Sequence, residues 1–119
     1  MVTEEHEQIW VKVNAPVDRG IASIVSALNS IEGLRTLDSC EGIAGHKPAH
    51  VYFNYGDWRS LSAFMFEKIG PALWKEFGSE ATVSVEIFNE SEPLGKLSFE
   101  KEATRRVASL LTDLLYERP

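Results

Sequence analysis

The chain has 119 residues, 44% of them hydrophobic and 25% charged. That is the balance of one globular domain over 1–119, and it argues against a disordered chain. Twelve Lys and Arg against eighteen Asp and Glu leave a net charge of −6 with no basic stripe, which argues against a nucleic-acid binder. The apolar stretches fall far short of the ~18 residues that span a bilayer, the acidic segment Met1–Glu7 has no apolar signal core, and a lone cysteine forms no internal disulfide, so a cytoplasmic domain without membrane attachment is expected.

Gln8 to Asn14 alternates, with Ile9, Val11 and Val13 on one face and Trp10 and Lys12 on the other, and reads as a half-buried strand. Pro16 and Asp18 suit the first turn of a helix. Val17, Ile21, Ile24, Val25, Leu28 and Ile31 follow helical spacing up to Gly33. Gly20, inside that pattern, suggests a close backbone approach. Leu34 to Cys40 reads as a second strand, with Leu34, Thr36, Asp38 and Cys40 on one face. The glycines and proline of Glu41–Pro48 mark a loop. Ala49 to Tyr55 is a third strand, ended by Gly56, with Asp57 as the cap of the next helix.

That helix carries Trp58, Leu61, Phe64, Met65 and Ile69, and Gly70-Pro71 is expected to break or kink it before a short piece through Leu73, Trp74 and Phe77. Thr82 to Phe88 and Leu94 to Phe99 read as a hairpin across the turn Asn89–Pro93. A last helix runs from about Glu100 to Glu117, with Ala103, Val107, Leu110, Leu111, Leu114 and Leu115 as its stripe. The order β-α-β-β-α-β-β-α gives an α+β fold. Its first six elements match a ferredoxin-like β-α-β-β-α-β core, with an added strand and C-terminal helix, and its helices lie on one face of a mainly antiparallel sheet. Trp10, Trp58 and Trp74 could form an interaction surface, but Trp58 and Trp74 are expected in the core, whereas Trp10 lies opposite the apolar face of its strand, where a helix or another chain covers it.

Chemistry concentrates in one stretch. Asp38, Ser39, Cys40, Glu41 and Gly42 end a strand and enter a loop, with His46 and His50 close behind. Three readings are open. A thiolate nucleophile would need His46 or His50 as its base, while Asp38 and Glu41 would raise the thiol pKa. A zinc site would combine Cys40, His46 and His50 with Asp38 or Glu41. In the structural reading, Cys40 faces the core beneath a loop that needs Gly42 for its backbone angles. The same loop could line a small-ligand pocket. The preferred reading is structural, with no cofactor and no metal. A local basic pocket would have to draw on Arg35, Lys47 and Arg59.

Asn14–Asp18, then Gly33–Gly42, then Val51-Tyr52-Phe53 resemble a group of small uncharacterised bacterial and phage proteins with a Thr-x-x-Ser-Cys-x-Gly turn. The turn, carried here by Thr36, Ser39, Cys40 and Gly42, is also distantly similar to one in the tRNA wybutosine-synthesis methyltransferase family, a resemblance that implies a link to RNA modification. That family continues Ser-Cys-Ser-Gly-Arg, whereas Glu41 and Ile43 stand at the second serine and the arginine here. The expectation is a non-catalytic domain that binds a small ligand or a protein partner as a homodimer. An enzyme dependent on Cys40 or on a metal is the alternative. An exposed edge strand together with Trp10 favours the dimer.

Overall fold

The structure is a computed structural model, and it describes residues 8–10, 16–18, 21–87 and 92–116. Two short strands, β1 (Gln8–Trp10) and β2 (Pro16–Asp18), pair antiparallel. Pro16–Asp18 is thus strand, not the first turn of a helix. A missing N–H suits the start of a strand as well as the start of a helix. Residues 11–15 and Gly20 lie outside the described residues, and helix α1 begins at Ala22 and runs to Asn29.

Four further strands form one antiparallel sheet: β3 (Leu34–Cys40), β4 (Ala49–Tyr55), β5 (Ala81–Glu86) and β6 (Leu94–Phe99), in the order β3-β4-β6-β5. The fold is α+β, as expected. Among the described residues the first strand pairs only with β2, and the added strand β6 lies inside the sheet, between β4 and β5. Ala49, Val51, Phe53, Leu97, Phe99 and Ala81 turn to one face and join Ile24, Leu28, Leu61, Met65, Leu73, Val107 and Leu111 in a single buried cluster. The helices supply the other half of that cluster, so they cover this face. No described helix is long and apolar enough to cross a membrane.

Helix α2 (Trp58–Ala63) passes into a π-helical stretch, Phe64–Ile69, and then into α3 (Gly70–Phe77). Gly70-Pro71 therefore does not end the helix. Pro71 lacks the N–H for the ordinary ladder, and its ring would strike the carbonyl four residues back. The wider π turn removes that conflict, with the Gly70 N–H donating to the Met65 carbonyl. A Cβ on Gly70 would stand 2.5 Å from that same oxygen and 3.4 Å from Val83 Cγ2. Glycine is what lets the turn form and the helix lie close on β5.

A 3-10 turn, Lys101–Ala103, leads into α4 (Thr104–Leu115), which buries Val107, Leu111 and Leu115. Trp58 is 49% exposed and Trp74 69% exposed, which corrects their expected place in the core. Leu61 and Leu73 take the buried positions instead.

Asp57 caps α2 as expected, its Oδ1 accepting from the Ser60 N–H at 2.9 Å. Hydrogen bonds from the Ser60 backbone, then from its side chain, hold the Asp57 carboxyl below its ordinary 3.8. A depressed folded pKa adds stability above the unfolded value, and that stability is lost as pH falls through the folded one. Asp57→Ala is therefore expected to lower the melting temperature at neutral pH, with the gap to the wild type closing only below pH 3.8. Thermal melts of both proteins between neutral pH and strong acid check this. A gap independent of pH would refute it.

Candidate functional site

Strand β3 does not keep the parity that its sequence suggests. Thr36 faces Phe53, but Asp38 faces Tyr52, so Leu37 is an extra residue in a β-bulge. From there on every side chain changes face. Ser39 lies opposite Val51 on the core side, while Asp38 and Cys40 turn to the outer face, opposite Tyr52 and His50. The expectation that Cys40 faces the core is thereby corrected. Burying the Asp38 charge unpaired would cost several kcal/mol, and the bulge avoids this by leaving Leu37 exposed instead.

The outer face carries two rows across the sheet. One runs Cys40, His50, Ser98, Thr82, and the other Asp38, Tyr52, Lys96, Ser84. His50 Nε2 lies 3.7 Å from Asp38 Oδ2, and the His50 ring meets Tyr52 edge-on at 5.4 Å. The Tyr52 hydroxyl donates to Glu86 Oε1 at 3.3 Å and the Ser84 hydroxyl to Oε2 at 3.4 Å. Lys96 Nζ lies 4.0 Å from the same carboxylate and 5.4 Å from the Tyr52 ring centre. Asp38, His50, Tyr52, Ser84, Glu86 and Lys96 are thus partnered with one another on this face. Among the described residues no hydrogen bond joins Cys40 to His50, so the thiol and imidazole stand side by side without the contact that activates a nucleophile.

The remaining sequence candidates sit in the loop. Lys101 Nζ reaches Glu41 Oε1 and the Gly42 carbonyl, each at 3.5 Å, and ties the loop to the turn before α4. Gly42 is buried with φ 75°. Ile43 and Lys47 exchange both backbone hydrogen bonds at 2.8 Å, which leaves His46 exposed in that turn. Among the described residues no three His, Cys, Asp or Glu side chains are grouped to hold a metal ion. The zinc set of Cys40, His46 and His50 is not assembled. Nor do the three basic residues converge. Arg35 lines a cleft of about 630 Å³ with Asn54, Asp57 and Trp58, the residue before Arg59, but Lys47 lies at the opposite end of the β3–β4 hairpin.

The surface that the sequence analysis missed lies along β5. Phe66, Pro71, Leu73, Trp74, Ala81 and Val83 are among the walls of an open groove of about 500 Å³, almost wholly apolar. Phe66 is 52% exposed, and with Trp74 it stands either side of Gly70, the three at a spacing of four along the helix. Leu73 and Phe77 mark the buried stripe. Phe66, Gly70 and Trp74 form the row beside it, and that spacing was the signal available in the sequence. Beside the groove runs β5, paired on one side only among the described strands. The chain matches no family model, no curated protein and no solved structure.

Proposed function

We propose that this chain is a non-catalytic protein-binding domain that takes an extended segment along the β5 edge, with the segment's apolar side chains entering the groove between Phe66 and Trp74. The observation that carries the reading is the pairing of two unmet needs in one place. An edge strand presents main-chain N–H and C=O groups without partners, and the groove beside it keeps two large aromatic side chains in water. An added strand meets both at once, through main-chain hydrogen bonds and alternate side-chain pockets. Neither Cys40 nor His50 lines the groove around Phe66 or the cleft around Arg35. The proposal includes a reducing, cytoplasmic setting and a bacterial or phage source. The lone Cys40 supports the first, and the Thr36–Gly42 turn the second.

The test is a calorimetric titration with a short synthetic peptide of alternating valine and threonine, capped by lysines. A control peptide carries proline at its centre and lacks one N–H. Binding of the first and not the second is expected. Trp74→Ala should weaken it tenfold or more, as loss of an aromatic anchor does, with stability changed by less than ~1 kcal/mol because the side chain is exposed. Equal affinity of the monomeric protein for both peptides, or of the wild-type and Trp74→Ala monomers, would sink the reading.

A further inference from the structure

We infer that the segment occupying the β5 edge is β5 of a second copy of this chain, paired antiparallel about a two-fold axis at Ser84, so that two four-stranded sheets join into one of eight strands. The inference rests on the strand-binding reading above and names its partner.

The two edges of the sheet are built differently. At β3 the Leu37 bulge interrupts the strand, Arg35 and Asp38 put charges on it, and the Thr36 N–H is taken by Asn29 Oδ1 at 3.2 Å. Strand β2 also comes close to β3. These are the devices that keep an edge from pairing. β5 has no bulge and no proline, and Glu86, which already pairs with Lys96 on its own sheet, is its one charge. Among the described residues its main chain makes no hydrogen bond beyond the ladder to β6.

Two-fold antiparallel pairing keeps each face of the sheet on its own side, so residues of like parity meet. With the axis at Ser84, Val83 meets Val85 of the second copy, and Ala81 meets Ile87, which is 58% exposed in the single chain. The apolar band so formed runs on into the groove below Trp74. On the outer face Thr82 meets Glu86 of the second copy, and the two Glu86 carboxylates stand about 13 Å apart along the strands, beyond the ~8 Å screening length. Moving the axis to Val83 would set Glu86 against Glu80, and like charges directly opposite are destabilising.

The experiment uses the whole chain. Native mass spectrometry and light scattering of the wild type at about 100 µM are expected to give twice the monomer mass, and Ile87→Lys should raise the dimer dissociation constant at least tenfold. In a Cys40→Ser background, Ser84→Cys should form a disulfide-linked dimer under mild oxidant, because residues directly opposite in a ladder lie within disulfide reach. Ser79→Cys should not. A wild-type monomer at that concentration overturns the inference, as does a dimer that is insensitive to Ile87→Lys and not captured through Ser84→Cys. If the wild type is a monomer but still binds the valine–threonine peptide, self-pairing fails while the edge reading stands. If it is a monomer and binds no peptide, both fall.

Discussion

Phe53→Ala is expected to lower the unfolding free energy by about 3–5 kcal/mol, a large part of the ~5–15 kcal/mol that holds a domain of this kind together. Phe53 is fully buried at the centre of the sheet and meets Phe64 edge-on at 5.9 Å. Across the ladder stands Gly95, where a Cβ would lie 2.9 Å from two atoms of the Phe53 ring and 3.1 Å from Leu61. The glycine in mid-strand is thus the space the ring fills. A sign reversal follows. Gly95→Ala alone should destabilise by about 1–3 kcal/mol through overpacking. In the Phe53→Ala background the ring contacts are gone and only the flexible end of Leu61 remains close, so the same change should be neutral or stabilising, because glycine costs about 0.5–1 kcal/mol in a strand. Urea unfolding of the four proteins closes the cycle. Additive effects would mean that the ring and the glycine do not share this space.

How much of this was legible follows from what each residue signals. β4, β6 and α4 were readable because their apolar residues keep one period from end to end: Val51 and Phe53 on β4, Leu97 and Phe99 on β6, Val107 and Leu111 on α4. β3 was readable as a strand but not in its faces. A count by twos assumes an unbroken ladder, and one extra residue at Leu37 reverses everything after it. The hint was Asp38 itself, a carboxylate that the simple alternation would have placed toward the core. Pro16 was ambiguous in principle, since its missing N–H suits both readings. Gly70-Pro71 looked like a break because the ordinary helix has no answer to that proline. The π turn supplies one, and it depends on Met65 and Gly70 meeting five residues apart.

The same split applies to the candidate site. The Asp38–His50 segment attracted attention because its residue types are reactive, and the structure resolves it into a polar face and an anchored loop. The β5 surface carries no reactive residue. Its meaning lies in strand order, which sets β5 and not β6 at the edge, and strand order depends on contacts distant in sequence. Trp74 was visible only as an aromatic beside the buried stripe. The general preference of large aromatics for cores gave way there to the helical phase set by Leu73 and Phe77.

The loop gives the second large effect, with its own control three residues away. Gly42 and Gly45 have nearly the same positive φ, 75° and 76°. A side chain at either costs about 1–2 kcal/mol from the left-handed backbone alone. Their surroundings differ. A Cβ on Gly45 meets nothing within 4 Å, whereas one on Gly42 would fall 2.6 Å from the Lys47 carbonyl oxygen, 2.7 Å from the Ala49 nitrogen and 2.8 Å from the Pro48 carbonyl carbon. All three are backbone atoms of the stretch Lys47–Ala49 that leads into β4, which the Ile43–Lys47 bridge holds at its start, and none can swing aside as a side-chain end would. Gly42→Ala is therefore expected to cost about 3 kcal/mol or more, backbone strain plus overpacking, and Gly45→Ala only about 1–2 kcal/mol. Relief requires the loop to move off β4, which would also pull the Gly42 carbonyl and Glu41 from Lys101. Hydrogen exchange at the Ile43 and Lys47 amides should accordingly rise in Gly42→Ala and stay near the wild-type rate in Gly45→Ala. Equal losses of stability in the two variants would show that backbone angle alone governs the loop, and that the close approach of Gly42 to β4 contributes nothing.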